Sequence, residues 1–204
     1  AFDAINQNFS HYSPVPGFLE LRQAIAKKLK RDNNLDYKPT QICVSNGAKQ
    51  SILNVLAAVV NDGDEVILPA PYWVSYDEMV KMMGGTSVFI ETNIDTEFKM
   101  TAEQLEAAIT PKTKVILYSS PCNPSGSYYT KDELEKIANV VAKYPYVTII
   151  SDEIYEYINY DGKHTSIAEF PQVYEQTAVI NGMSKAFAMT GWRIGYSACP
   201  EWLA

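Results

Sequence analysis

Short apolar runs recur along the chain at residues 41–45, 65–68, 87–91, 114–119, 147–151, 178–181 and 194–198, each rich in Val, Ile or Tyr. Several are apolar at consecutive positions, the pattern of strands covered on both faces. Between most of them the apolar residues fall instead at helical spacing. Phe18, Leu21, Ile25 and Leu29 share one helix face, which breaks at Asp32, Asn33 and Asn34. Ile52, Leu53, Leu56, Val59 and Val60 form another, ahead of the turn Asn61-Asp-Gly63. Thr101 with Gln104, and Thr130 with Glu133, have capping-box form. The second box precedes the stripe Leu134, Ile137 and Val141. Strands alternating with helices predict an α/β fold with a mostly parallel sheet, and no linker or repeat divides the chain. One domain is expected.

Ligands of such sheets bind beyond the carboxyl ends of the strands. The residues that follow each run therefore carry the functional information. They are Ser45-Asn-Gly-Ala-Lys49, Pro69-Ala-Pro-Tyr-Trp73, Ser120-Pro-Cys-Asn-Pro-Ser-Gly126, Ser151-Asp-Glu-Ile-Tyr155 and Asn181-Gly-Met-Ser-Lys185. One rim thus gathers a glycine turn, a Trp, an Asn, an Asp, a Tyr and a Lys.

Composition removes several alternatives. With 17 Lys and Arg against 24 Asp and Glu, the 204-residue chain carries a net charge of −7, unlike the basic surface of a nucleic-acid binder. No apolar run approaches the roughly 18 residues of a membrane span, and no signal peptide opens the chain. Cys43, Cys122 and Cys199 lie far apart and, with only His11 and His164 as histidines, leave no metal-ligand spacing. They read as reduced thiols of a cytoplasmic protein. Ala1 and the segment Pro200–Ala204 read as the cut ends of a longer protein.

Each rim residue has its own chemistry. Gly47, Ala48 and Lys49 open a helix, whose free N–H groups and dipole favour an anion; neither a P-loop nor a G-x-G-x-x-G fingerprint is present. Asp152 and Glu153 close an apolar strand, where a buried carboxylate needs a cationic partner to stay ionised. Lys185 follows another apolar strand, and a partly desolvated lysine forms Schiff bases with carbonyls. Arg193 can hold an anion through two parallel hydrogen bonds. A Ser-His-Asp triad is disfavoured, because G-x-S-x-G is incomplete at Ser184 and neither histidine is near it in sequence.

The ordered motifs N-G-A-K, P-Y-W-V-S-Y, S-P-C-N-P-S-G, S-D-E-I-Y and S-K-A-F-A-M-T-G-W-R-I-G-Y resemble the class I aminotransferases, and within them the bacterial aspartate aminotransferases. The resemblance runs from about Tyr12 to the last residues. It implies the large domain of a fold type I enzyme that uses pyridoxal 5′-phosphate (PLP), with a seven-stranded sheet whose last strand is antiparallel. It further implies that Lys185 carries the cofactor covalently and moves the substrate proton. Asp152 would pair with the pyridine nitrogen, Asn123 and Tyr155 with the phenolic oxygen, and Trp73 would stack on the ring. Gly47, Ala48, Lys49 and Arg193 would hold the phosphate. Tyr12 would reach the phosphate of a neighbouring subunit, which implies a homodimer. Gly182 stands where many relatives have a phosphate-contacting serine, so that contact is not expected here, and Ser184 need not replace it.

By the same resemblance the small domain and the arginine for the substrate α-carboxylate lie outside these 204 residues, so the chain alone is expected to bind PLP yet turn over slowly. Aspartate and 2-oxoglutarate are the expected substrates. An aromatic or prephenate aminotransferase, a carbon–sulfur lyase and a non-catalytic PLP-fold module are the alternatives.

Overall fold

In the computed structural model, which describes residues 1–160 and 162–204, the apolar runs become strands because helices cover them on both faces. They are β1 (Ile42–Asn46), β2 (Glu65–Ala70), β3 (Thr86–Glu91), β4 (Thr113–Ser119), β5 (Thr148–Asp152), β6 (Thr177–Gly182) and β7 (Ile194–Ala198). Among the described residues these seven strands form one sheet in the order β1-β7-β6-β5-β4-β2-β3. β7 runs antiparallel to both β1 and β6, and the other pairings are parallel. The mostly parallel sheet with an antiparallel last strand is therefore as expected. Because β7 is reversed, its first residues reach the rim formed by the carboxyl ends of β1 and β6; Ile194 lies opposite Asn46 and Gly195 opposite Gly182.

The helices are α1 (Phe2–Asn6), α2 (Leu19–Asn33), α3 (Ala48–Val59), α4 (Ser75–Met82), α5 (Ala102–Ala108), α6 (Lys131–Val141) and α7 (Pro171–Tyr174). Strand alternation sorts the core. Val66, Leu68, Val115 and Leu117 face Ile52 and Leu56 of α3 and Tyr76, Met79 and Val80 of α4. Ile67, Ile116 and Ile149, one step along, face Leu134, Ile137 and Val141 of α6. Ile25 and Leu29 of α2 cover Ile42, Val179 and Tyr196 at the other end. Each such buried aliphatic side chain contributes about 1.5–3 kcal/mol.

Both expected capping boxes form. Gln104 N–H donates to Thr101 Oγ1 at 3.2 Å, and Glu133 N–H to Thr130 Oγ1 at 3.3 Å. α2 ends at the expected break, with Asn34 in the left-handed region (φ 55°) and Leu35 N–H closing back on Leu29 O at 3.1 Å. Phe18 precedes this helix instead of joining its buried face, and meets Phe9 edge to face. Strand ends differ from the apolar pattern where polar residues continue the ladder. β5 extends to Asp152, which pairs with Ser119 on one side and Ile180 on the other. β6 extends to Gly182. Hydrogen bonding, not hydrophobicity, sets these last positions.

Candidate active site

Asp152 occupies the last ladder position of a central strand and is nearly inaccessible, at 5% exposure. The Tyr76 hydroxyl donates to its Oδ2 at 2.7 Å, and Ile154 N–H donates to its Oδ1 at 3.2 Å. Burial pushes its pKa up to about 6, against the lowering by these two donors; Glu153 pushes it further up and Lys185 down. Among the described residues no cation forms an ion pair with it. The cationic partner anticipated from sequence is thus not a side chain at contact distance; neutral donors hold the carboxylate.

Tyr76 was not singled out by the sequence. It lies in the first turn of α4, three residues after Trp73, and the two rings meet edge to face at 5.5 Å. Its place beside Met79 and Val80 makes it look like one more core aromatic. In Tyr76→Phe the carboxylate loses a donor worth about 1.5–3 kcal/mol. We expect the Asp152 titration to move upward from about 6 by roughly one pH unit or more, as followed by carboxyl NMR.

A cavity of about 260 Å³ opens over Asp152 and Tyr76. Trp73, Asn123, Tyr155 and Lys185 line it, with Ala48, Lys49 and Arg193. Lys185 Nζ stands 5.5 Å from the Tyr155 ring centre, and Lys49 Nζ 4.7 Å from that of Trp73. Three cationic side chains and one carboxylate therefore face a common space.

The anion end of this space depends on two glycines. Gly47 precedes α3 at φ 89°, and a Cβ there would stand 2.1 Å from Arg193 Nη2. The N–H groups of Ala48 and Lys49 come before the helix's own ladder and are free to meet a ligand. The guanidinium is held by backbone carbonyls, with Nη1 donating to Thr190 O at 2.8 Å and Nη2 to Asn46 O at 3.2 Å. A Cβ on Gly195 would lie 2.2 Å from Ala48 N. Gly195→Ala should consequently push the helix N-terminus away from β7 and destabilise the fold by about 1–3 kcal/mol, measured as a lowered urea midpoint.

Gly182 is explained in the same way. A Cβ there would meet Ile194 O at 2.6 Å, so this backbone has no room for the serine that many relatives carry. Ser184 does line the cavity, as do Ser119 and Thr190, which the sequence did not single out. Tyr12 alone among the expected site residues is remote in character: it is fully exposed, on an arm that also exposes Phe2, Ile5, Phe9 and Val15.

The family model for aminotransferases of class I and II matches residues 3–204. The chain belongs to this family. It is 50% identical over 202 residues to the probable aspartate/prephenate aminotransferase of Rhizobium leguminosarum bv. phaseoli, covering 98% of this chain and 50% of that protein. It is 50% identical over 200 residues to the aspartate aminotransferase of Bacillus sp. strain YM-2, covering 97% and 51%. The solved aspartate aminotransferase of Rhizobium meliloti superposes with a TM-score of 0.97 at 42% identity, over 99% of this chain and 51% of that one. An aromatic aminotransferase from Pyrococcus horikoshii OT3 superposes at 0.95 with 43% identity, over 99% and 54%. The aminotransferase chain thus spans about half the length of the relatives it matches.

Proposed function

We propose that this chain is the cofactor-binding large domain of a PLP-dependent aminotransferase that moves an amino group between L-aspartate and 2-oxoglutarate. The observation that carries the proposal is the convergence of Lys185, the buried Asp152 and the Gly47–Arg193 anion cradle on one cavity. PLP fits these residues: glycines at 47 and 195 let the Arg193 guanidinium and the N-terminus of α3 close on each other, so that helix N–H groups and a guanidinium meet at one end of the cavity. A phosphate needs such donors. When bound, PLP supplies an electron sink for the charge left on the substrate Cα.

The chain's own residues do the rest. Asp152, raised to about 6 with no cation in an ion pair with it among the described residues, favours a protonated ring nitrogen, because an adjacent positive charge restores its ionised form. Asn123 and Tyr155 would hydrogen-bond the phenolic oxygen, and Trp73 would cover the ring. Lys185 would hold the cofactor covalently, and its Nζ would move the proton at the substrate Cα.

Prephenate is the second reading for the amino acceptor, favoured by relatives named aspartate/prephenate aminotransferases. Full-length protein assayed with a panel of amino donors, and with 2-oxoglutarate or prephenate as acceptor, tests both. We expect aspartate with 2-oxoglutarate to give the highest kcat/KM; a preference for aromatic donors would overturn the assignment. We place the protein in the cytoplasm, consistent with three free cysteines.

The apolar arm from Phe2 to Val15, with Tyr12 wholly exposed, supports a homodimer in which the arm meets a second copy. Light scattering on the full-length protein should give twice the monomer mass, and Tyr12→Ala should weaken PLP retention.

A further inference from the structure

Behind the cavity, the turn after Asp152 carries a second layer of charge. Glu156 N–H donates to Glu153 O at 3.0 Å and closes that turn. Asp152, Ile154 and Tyr155 line the cavity. Glu153 and Glu156, three residues apart, instead engage groups outside it, and both are buried. Glu156 pairs with Lys28 of α2 and accepts from Asn33 Nδ2 at 2.8 Å. Glu153 Oε1 accepts from the hydroxyls of Ser151 at 3.0 Å and Ser166 at 2.6 Å. Its Oε2 lies 3.0 Å from Nε2 of His164, itself only 8% exposed.

We propose that His164 is a positioning residue of the active site: paired with Glu153, it cancels the negative charge that Glu153 sets beside Asp152 and fixes the turn that aims Asp152 and Tyr155 into the cavity. The inference rests on the reading of Asp152 as the partner of the ring nitrogen. Two carboxylates on consecutive buried residues oppose each other's ionisation, and an ionised Asp152 is what a protonated ring needs. The remedy is a counter-charge on the far side of Glu153. Burial opposes a charge on His164, but Glu153 outweighs it, with Glu156 adding and Lys28 subtracting, so the imidazole pKa is raised above its ordinary value. Glu153 also acts on the buried hydroxyls of Tyr118 in β4, Tyr196 in β7 and Tyr37. Each is neutral in the range where His164 titrates, so none replaces its charge.

The two partners make opposite predictions, which a merely structural role would not. In unliganded full-length protein, the carbon-13 signal of the Asp152 carboxyl, assigned by its loss in Asp152→Asn, reports the titration directly. His164→Gln should raise the midpoint by about one pH unit, Glu153→Gln should lower it, and the double variant should return it close to wild type. At pH 5, below both midpoints, His164→Gln should weaken binding of pyridoxamine 5′-phosphate about tenfold, the loss of ionised Asp152 that a one-unit change produces there. Midpoints that do not move, or that move the same way in both single variants, would overturn the proposal. Should His164→Gln not fold, Glu153→Gln alone still decides: an unchanged or raised midpoint sinks the idea. Wild-type protein that fails to bind pyridoxamine 5′-phosphate would sink the functional reading instead, whatever the titrations show.

Discussion

Lys185→Ala is expected to lose transamination by about 10⁴-fold or more, because the substituted group would both hold the cofactor and move the proton at Cα. The cavity offers no substitute. Lys49, the other lysine lining it, lies over Trp73, whereas Lys185 Nζ lies over Tyr155 beside Asp152. Borohydride reduction of the wild-type protein with PLP should leave a stable pyridoxyl group on Lys185, read by peptide mass spectrometry. In Lys185→Ala that label should vanish while the fold and the anion cradle remain intact. A pyridoxyl group on Lys49 in the wild type would refute the assignment.

Asp152→Asn is expected to separate stability from function. Turnover should fall by about 10²-fold or more, since a preorganised charge acting mainly on the transition state is removed. Stability of the unliganded protein should rise. The pKa of Asp152 goes from 3.8 to about 6 on burial, so its contribution to stability is complete below 3.8 and is lost as pH rises through about 6. That loss is worth about 3 kcal/mol at pH 7 and above. Asn accepts and donates at the same place without a charge to desolvate, so the difference between variant and wild type should be small at pH 4 and near its maximum by pH 7. Urea unfolding of both proteins across this range checks the sign. A variant less stable than wild type at pH 7.5 would show that ionised Asp152 is stabilised by a partner that the geometry does not contain.

Much of the fold was legible because its causes are local. Consecutive apolar positions and helical spacing place β2, β4, α3 and α6, and the two capping boxes need only residues three apart. The site was legible for a related reason: in a mostly parallel sheet the residue after each strand lands on the same rim, so Lys49, Trp73, Asn123, Asp152, Tyr155 and Lys185 could be gathered without knowing the strand order. Arg193 was placed at the phosphate by the resemblance alone; it precedes its strand and reaches the rim because β7 is reversed.

What the tertiary structure alone decided are the pairings across that order. The Tyr76 bond to Asp152 joins residues 76 apart in sequence and depends on α4 packing over the sheet. The glycines at 47, 182 and 195 are required by backbone approaching backbone or guanidinium from another segment, a condition that no one-dimensional pattern encodes. Glu153 and His164 are close in sequence, yet nothing in their spacing distinguishes a surface pair from a buried one. Burial makes the difference. It turns a carboxylate that would ionise near pH 4 in water into one held at about 6. The chain therefore wrote the identities of the site residues into local motifs, while their charge states were decided only by what the folded layers exclude.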